Sequence, residues 1–440
     1  MDYARFSFHP VGQGIFSSGA LCFAEPYGEQ FCWVYDCGTV KRWQRQLEQE
    51  VDRFASLSAV HGQARPRLEL LFLSHFDLDH ISGLVALLGR FDVGALVLPY
   101  VPLWQRLAVS FGSKRFDNAT SQAFFVDPIR FVSEIDGANV ERIILVPPST
   151  GQVPDDGPDG APLPGGAPQD QPPLRGSRIT KDLGPLLVAE DEVTGGRVQT
   201  GSSPAVMWLQ PGGRLTAHDV WEFIPYNDPK LQVRATPSFR LKVRRLRGRL
   251  LATTSQGERA SLLADLKSTY SSTFGKSAKR KNEISLFVYG GPTRAFNWRS
   301  TLATAFPSLA KDASAAGACE SGMCNICTTD EGAAKPAILY TGDGYLASRP
   351  QLTSLSQYLG AHRMSRVGTL QVMHHGARGN WFSGLASALQ PEKSVFCADK
   401  RHHHGHPHNE VWDDFSPFGA ARADSLEGLS RFLKVDAHPV

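Results

Sequence analysis

Short apolar runs alternate along the chain with segments that have the pattern of helices. Clear runs lie at residues 31–35, 70–73, 143–146 and 337–340, and a polar or glycine-containing stretch follows each of them. Apolar runs of this length are typical of buried strands, whereas residues 42–57 are predicted to form a helix. The alternation of strands and helices predicts an α/β fold built in layers.

A Pro/Gly-rich segment interrupts this pattern. Residues 147–176 are dominated by Pro, Gly, Asp and Gln, a composition that is typical of a disordered loop or linker. Strand-like runs return within residues 177–235. We therefore predict a first half of the fold, a linker with an insertion, and a second half of the fold, at residues 1–146, 147–235 and 236–440.

Composition and charge set broad limits on the class of protein. The 440 residues are 42% hydrophobic and 20% charged, which is an ordinary globular composition. A net charge of +3 does not by itself indicate a nucleic-acid partner. We expect neither a secretion signal nor a membrane span, because no run approaches the roughly 20 apolar residues that a span needs. Seven scattered cysteines fit reduced thiols, and we expect a cytoplasmic protein.

Four potential metal ligands lie within six residues after the apolar run at 70–73. They are His75, Asp77, Asp79 and His80, and a helix-like pattern begins directly behind them. A strand-to-helix loop can direct several side chains at one point. Two imidazoles and two carboxylates held together are costly unless a cation neutralises them. The loop therefore predicts a metal site.

Later strands also end in candidate ligands. Asp343 follows the run at 337–340, His374 and His375 follow another apolar run, and a histidine-rich stretch at 402–408 follows a third. In layered α/β folds the active site assembles at the carboxyl ends of strands. We therefore expect these groups to join the first loop in one site.

In their order along the chain, these motifs resemble the metallo-β-lactamase fold superfamily. The nearest resemblance is to the branch that includes the hydrolase domain of the DNA-uptake protein ComEC. One departure is Ser82, where a glycine is common in the family. The matching motifs lie at residues 10–14 with 36–38, 74–84, 282–286, 341–343, 374–376 and 405–411.

The resemblance implies a four-layer αββα sandwich whose metal site lies at one edge between two sheets. The motifs do not cover residues 147–235, which we interpret as a large, partly disordered insertion into this fold. Asp36 is implied to orient ligands through hydrogen bonds behind the metal site, and closing a turn would be compatible with that role.

The resemblance and the residue chemistry together imply ligands for two divalent ions. His75 and Asp77 would bind the first ion, Asp79 and His80 the second, and Asp343 would bridge the two. Asp77 occupies a position where many relatives have histidine. A carboxylate in place of an imidazole makes the ligand set more anionic and better suited to hard metal ions. Mn²⁺, Mg²⁺ or Fe²⁺ should therefore suit the site at least as well as Zn²⁺.

Two ligand positions stay open at the level of sequence. Either His374 or His375 would complete the second ion's shell, and both are candidates. A further family histidine, expected between the second motif and Asp343, has no convincing counterpart. His218 is the only histidine in that interval, so occupancy of the first ion's site is also open.

The resemblance implies hydrolysis by a hydroxide held between two metals about 3.5–4 Å apart. Asp79 would orient that hydroxide or accept its proton. His406 and His408 would donate to a phosphate oxygen or protonate the leaving group. The preceding histidines, at 402–404, are equally compatible with a polar flexible turn.

Two weaker signals are also present. Cys319, Cys324 and Cys327 have metal-ligand spacing but lack a nearby fourth ligand, so free thiols in a mobile loop are preferred. Basic residues that could hold a nucleic-acid backbone form a strand-like run and a second run. They are Arg240, Lys242, Arg244, Arg245, Arg247 and Arg249, followed by Lys276, Lys279, Arg280 and Lys281.

We therefore predict a metal-dependent hydrolase, with a phosphodiesterase or nuclease acting on DNA as the favoured hypothesis. A peptidase or amidase on the same dinuclear centre is one alternative. A catalytically degenerate binding or regulatory module of a multiprotein assembly is another. Protein partners could bind through the insertion.

Overall fold

The computed structural model describes most of the two predicted halves of the fold. The three cysteines with metal-ligand spacing and the basic run at 276–281 lie outside the described residues. The described residues are 3–22, 30–59, 64–100, 124, 127–149, 153–154, 183–185, 204–218, 220–228, 237–274, 285–293, 296–297, 301–305, 328–331, 335–434 and 438–439.

Twenty strands occur in the described residues. They are β1 (Tyr3–Phe8), β2 (Phe16–Cys22), β3 (Gln30–Cys37), β4 (Arg67–Phe72), β5 (Asp92–Pro99), β6 (Asn139–Val146), β7 (Leu183–Pro185), β8 (Ala205–Leu209), β9 (Leu215–Ala217), β10 (Trp221–Tyr226), β11 (Phe287–Pro292), β12 (Phe296–Asn297), β13 (Thr301–Ala305), β14 (Thr328–Glu331), β15 (Ala337–Tyr340), β16 (Val367–Gln371), β17 (Lys393–Cys397), β18 (Ala420–Ala423), β19 (Leu429–Lys434) and β20 (His438–Pro439).

The α-helices among the described residues vary from one turn to five. Within these residues none is both long enough and apolar enough to cross a membrane. The helices are α1 (Gln44–Leu57), α2 (Leu78–Ile81), α3 (Leu84–Arg90), α4 (Pro128–Ser133), α5 (Pro237–Ala252), α6 (Gln256–Phe274), α7 (Arg349–Leu359), α8 (Ala361–Ser365), α9 (Leu385–Leu389) and α10 (Asn409–Phe415).

Two large sheets face each other across a shared core. The first has eleven strands in the order β14-β13-β19-β1-β2-β3-β4-β5-β6-β8-β7, and the second has seven in the order β18-β17-β16-β15-β11-β10-β9. Aromatic side chains from both sheets fill the space between them, and the rings of Trp33 and Phe223 meet edge to face with centroids 5.0 Å apart. Burial of this apolar surface is the main force that holds the two sheets together.

Helices cover the outer face of each sheet. Leu47 of α1 and Leu87 of α3 are buried against the first sheet. Leu355 of α7 and Leu385 of α9 are buried against the second. The layers therefore run helix, sheet, sheet, helix, and the predicted α/β metallo-β-lactamase-type sandwich is confirmed.

The direction of the central strands explains where the candidate ligands meet. Strands β3 to β6 run parallel in the first sheet, and β15 to β18 run parallel in the second. Parallel strands end at the same edge of a sheet, where loops carry functional groups. The segments that follow β3 and β4 therefore come to lie opposite those that follow β15, β16 and β17.

Strands from within the predicted insertion extend both sheets. In the first sheet β8 pairs with β6, and in the second β10 pairs with β9 and β11. The described part of the range 147–235 thus contributes to the sandwich itself. The division of the chain at residues 147 and 235 stays a prediction.

The prediction of a basic strand at residues 240–249 is wrong, because this segment lies in α5. The buried side chains are Phe239, Val243, Leu246 and Leu250, and their spacing of three and four residues is that of one helix face. Charged residues at alternate positions suggested a strand, but the apolar stripe decides the structure.

Candidate metal centre

The first ligand loop is held at its predicted place between a strand and a helix. β4 ends at Phe72, and the four-residue helix α2 begins at Leu78. His75, Asp79 and His80 are all buried. A buried cluster of this kind needs compensating partners.

Asp36, at the end of β3, holds this loop from behind. Its carboxylate accepts the backbone N–H of Ser74 at 2.7 Å and the Ser74 hydroxyl at 2.6 Å. The Nδ1 atom of His80 lies 2.7 Å from the same carboxylate. Ser74 Oγ also lies 2.9 Å from His75 Nδ1. Asp36 and Ser74 therefore fix the orientation of two candidate ligands, which is the role that the resemblance implied for Asp36.

The glycines of the first motif allow the backbone to pack against the ligand loop. A Cβ atom at Gly38 would lie 2.4 Å from the backbone nitrogen of His80, and one at Gly14 would lie 2.8 Å from the carbonyl oxygen of Asp79. The Ile15 N–H donates to that same carbonyl at 3.1 Å. Only glycine permits this close approach.

Asp343 occupies a turn that is fixed on both sides. Its backbone N–H donates to the Ser285 hydroxyl at 3.1 Å, and the amide oxygen of Gln371 accepts the N–H groups of Thr341 at 2.9 Å and Gly342 at 2.6 Å. Gly342 has a φ of 53°. The carboxylate is thereby placed at the edge between the sheets.

The histidine pair adopts an unusual backbone. His374 and His375 have φ values of 45° and 57°. These values lie in the left-handed region, which residues other than glycine rarely adopt. His374 Nδ1 lies 3.0 Å from Asn380 Oδ1, and His375 Nδ1 lies 2.6 Å from the Cys397 carbonyl oxygen. Strain of this kind collects at functional sites, where surrounding contacts hold the backbone in place.

The two oxygens of Asp343 face different histidines. Asp343 Oδ1 lies 3.2 Å from His80 Nε2 and 3.5 Å from His375 Nε2. Asp343 Oδ2 lies 3.4 Å from His374 Nε2 and 3.8 Å from His75 Nε2. The carboxylate therefore lies between two pairs of imidazoles, as a bridging ligand would.

Asp79 joins the Oδ1 side of this arrangement. Its Oδ2 atom lies 3.7 Å from His375 Nε2, and the ligand atoms of Asp79, His80 and His375 all lie within 4.8 Å of one another. A second group with the same spacing consists of His75, His80 and Asp343. Both groups have the size of a metal-ligand shell before an ion draws it together.

The use of the ring nitrogens fits metal ligation. In His75, His80, His374 and His375, Nδ1 has a hydrogen-bond partner behind the site, while Nε2 points towards a carboxylate. Among the described residues, the buried Nε2 atoms of His75, His80 and His375 make no hydrogen bond of good geometry, although carboxylate oxygens lie 3.2–3.8 Å away. Metal-bound histidines show this division between their two nitrogens, because the partner on one orients the other. The donor set therefore fits a pair of divalent ions.

Charges within the cluster shift the pKa values of its members strongly. Burial raises the pKa of Asp343, but His374, His80 and His375 outweigh it and hold that pKa well below the usual range. Burial lowers the pKa of His80, but Asp343 and Asp36 raise it well above 6.5. Burial and neighbouring His80 lower the pKa of His75 to about 3. The neighbouring histidines therefore favour the ionised form of the Asp343 carboxyl group, which is the form that binds a metal ion.

Asp77 is placed differently from the other candidates in its loop. It is only half-buried, and it belongs to neither of the two close groups among the described residues. Its carbonyl oxygen accepts the N–H of His80 at 2.9 Å and of Ile81 at 3.1 Å, which begins α2. A role for Asp77 as a metal ligand stays a prediction.

The two candidate catalytic histidines lie beside the pair. The ring of His406 stacks on His375, with centroids 6.3 Å apart and an interplanar angle of 17°. It meets His374 edge to face at 5.8 Å. His408 is engaged at the side, where its Nδ1 accepts the N–H of Arg378 at 3.2 Å. His406 is thus the better placed of the two to reach a substrate, and both catalytic roles stay predictions.

Sequence reasoning missed Asn380. Its amide donates to the carbonyl oxygens of Asp343 at 2.9 Å and Gly344 at 3.0 Å, while its oxygen lies beside His374 Nδ1. It ties the backbone of the Asp343 turn to His374 of the histidine pair. No motif marks it, although the short distance along the chain from His374 was an available hint.

Comparison with protein families supports the class that fold and site indicate. The model of the metallo-beta-lactamase superfamily matches residues 25–160, a segment that runs from β3 through the first ligand loop to β6. No curated protein sequence matches the chain. The match, the two-sheet sandwich and the His/Asp groups together support the metallo-β-lactamase superfamily and, at the level of chemistry, a metal-dependent hydrolase.

Proposed function

We propose that this protein is a dinuclear metal-dependent phosphodiesterase, with DNA or another polyanion as its substrate. The observation that carries the proposal is the bridging position of Asp343, whose two oxygens each face two imidazoles. Two divalent ions bound by these residues would supply an activated water molecule and stabilise the charge that develops on the attacked group.

The geometry supports one division of the ligands. Asp79, His80 and His375 would hold one ion with Asp343 Oδ1. His75 and His374 would hold the other with Asp343 Oδ2, and Asp77 is the remaining candidate there. In this arrangement both histidines of the pair are ligands, and His374 takes the place of the family histidine that the sequence lacks.

Residues around the centre have separate roles in this proposal. Asp79 would orient the attacking water and accept its proton. The imidazole N–H of His406 would donate to a phosphate oxygen or to the leaving group, because its ring covers the histidine pair. Fixed donors directed at developing charge are among the largest contributions to catalysis.

Two features favour a phosphodiester over a peptide bond. The carboxylates of Asp79 and Asp343, with Asp77 as a further candidate, add hard oxygen ligands to the centre, and these suit Mn²⁺ and a phosphate substrate. The exposed residues Lys242, Arg245 and Arg249 on α5 offer positive charge to a polyanion. These basic residues favour a polyanionic substrate through the charge that they give to the protein surface.

Hydrolysis of bis-p-nitrophenyl phosphate and of single-stranded DNA in the presence of Mn²⁺ tests the proposal. We expect Asp343→Asn to lose at least about 10³-fold in kcat/KM, since it weakens both ion sites at once. The exposed Asp413→Asn on α10 is the matched control and should retain activity.

Two other outcomes would overturn the proposal in different ways. Cleavage of peptide or amide reporters without any phosphodiester cleavage would favour the peptidase or amidase alternative. Wild-type protein that binds no Mn²⁺ or Zn²⁺ after loading would instead indicate a degenerate binding module.

A further inference from the structure

We propose that His402, His403 and His404 form a third metal site, outside the buried centre, for a borderline cation such as Zn²⁺, Ni²⁺ or Cu²⁺. Metal binding at this site does not depend on whether the proposed dinuclear centre is catalytically active. It also differs from that centre in chemistry, because its ligands are imidazoles alone.

The three side chains converge. One imidazole nitrogen of each lies within 4.8 Å of the other two. The ring centroids are 4.3 Å apart for His402 and His403, 4.0 Å for His403 and His404, and 4.8 Å for His402 and His404. The three nitrogens are therefore close enough for one cation to bind all of them.

The backbone of the run is part of a built turn. The N–H of His402 donates to the Asp399 carbonyl oxygen at 3.0 Å, and the N–H of Gly405 donates to the His402 carbonyl oxygen at 3.1 Å. The Asp399 carboxylate in turn accepts the N–H of Arg401 at 2.8 Å and of Ser425 at 3.2 Å. These bonds position the run before any ion binds, which reduces the entropy that binding must overcome.

His402 carries a second indication. Its ring is half-buried beside Trp43, with centroids 6.2 Å apart, and its Nδ1 atom is buried with no hydrogen-bond partner among the described residues. A buried polar atom without a partner is uncommon in folded proteins and calls for an explanation. A metal ion bound by the run supplies one, with Nδ1 of His402 as a ligand.

Ligand chemistry selects the class of cation. Three neutral imidazoles favour Zn²⁺, Ni²⁺ and Cu²⁺, whereas the carboxylate-rich centre also suits harder ions. Water would complete the shell, since His403 and His404 are exposed.

The run at 402–404 lies close to the histidines of the buried centre. His404 stacks towards His406 with centroids 5.7 Å apart, and His406 stacks on His375. A cation on the run would thus add positive charge beside the ring that covers the dinuclear centre.

Counting bound Zn²⁺ in full-length protein tests the site. We expect the triple variant His402→Gln, His403→Gln, His404→Gln to bind one Zn²⁺ fewer than the wild type in isothermal titration calorimetry. Asp343→Asn should keep that one equivalent even when it loses ions from the buried centre. The difference therefore reports the third site whatever the fate of the proposed function.

Single variants distinguish a built site from a mobile histidine run. With three ligands required together, each single His→Gln change should weaken that one equivalent by about tenfold or more. His362→Gln, at a histidine on α8, is the control and should leave it unchanged. Equal stoichiometry in the wild type and the triple variant, or losses below about threefold for every single variant, would overturn the proposal.

Discussion

The two histidine clusters of this protein are held in different ways. In the buried cluster, each imidazole is fixed through its own Nδ1 atom, for example by Asp36 behind His80 and by the Cys397 carbonyl behind His375. In the run at 402–404, the backbone is fixed and the rings are largely exposed. The first arrangement sets the direction of each ligand, whereas the second only brings the ligands close. Affinity and dependence on single residues should therefore differ between the clusters.

The comparison predicts that the loss of one buried histidine costs more than the loss of one exposed histidine. His375→Gln should weaken Mn²⁺ binding at the proposed dinuclear centre by about 10³-fold, because the lost ligand leaves Asp79 and Asp343 poorly neutralised. His403→Gln should weaken its own Zn²⁺ equivalent by only about tenfold. Competition against a chromophoric chelator measures both values. Equal losses of affinity in the two variants would show that the buried and exposed clusters do not differ in their dependence on single histidines.

His374→Gln should distinguish the two ions that we propose for the centre. Because His374 faces only the Oδ2 side of Asp343, this change should lower affinity there by about 10²-fold and leave the other ion bound. Elemental analysis after dialysis should find one equivalent fewer at the centre. Loss of both ions together would contradict the proposed division of ligands.

His406→Gln should act on turnover and not on metal content. A glutamine removes the imidazole that covers the pair, and kcat on the phosphodiester reporter should fall about 10²-fold. Metal stoichiometry at the centre should match that of the wild type. A variant that lost its ions would show that His406 is a ligand.

Among the changes at the buried centre and the ring beside it, Asn380→Ala should have the smallest effect. It removes the partner of His374 Nδ1 and the link to the Asp343 carbonyl, so affinity on the Oδ2 side should fall about tenfold. Asn139→Ala, at an exposed asparagine where β6 begins, is the matched control. A loss equal to that of His374→Gln would mean that the histidine cannot bind without its partner.

Most of the sandwich could be predicted from the sequence, because its strands are uniform apolar runs. The run at 337–340 coincides with β15, and the first ligand loop lies between β4 and α2 as expected. Helix α5 was missed because its charged residues alternate while its apolar stripe is sparse. Periodicity fails where two patterns compete within one segment.

The candidate ligands could be predicted from motifs, but the division between two ions that we propose for them could not. That division depends on which oxygen of Asp343 faces which ring, and on the backbone turn at His374 and His375. The supports behind the rings, Asn380 and the carbonyl of Cys397, carry no sequence signature, since any residue supplies a carbonyl. The likeness to the ComEC branch also stays a prediction.

The left-handed turn at His374, His375 and Gly376 limits how this site can change during evolution. Each non-glycine residue there costs roughly 1–2 kcal/mol relative to an ordinary turn. A substitution must therefore be compatible with the left-handed backbone, whatever its effect on metal binding. Glycine, asparagine and aspartate would be admitted, whereas valine or isoleucine would be rejected. A descendant that no longer used its metals would be freed to relax this turn. Valine, isoleucine or another residue that disfavours a left-handed backbone in place of the histidine pair would then mark lineages in which the turn had relaxed.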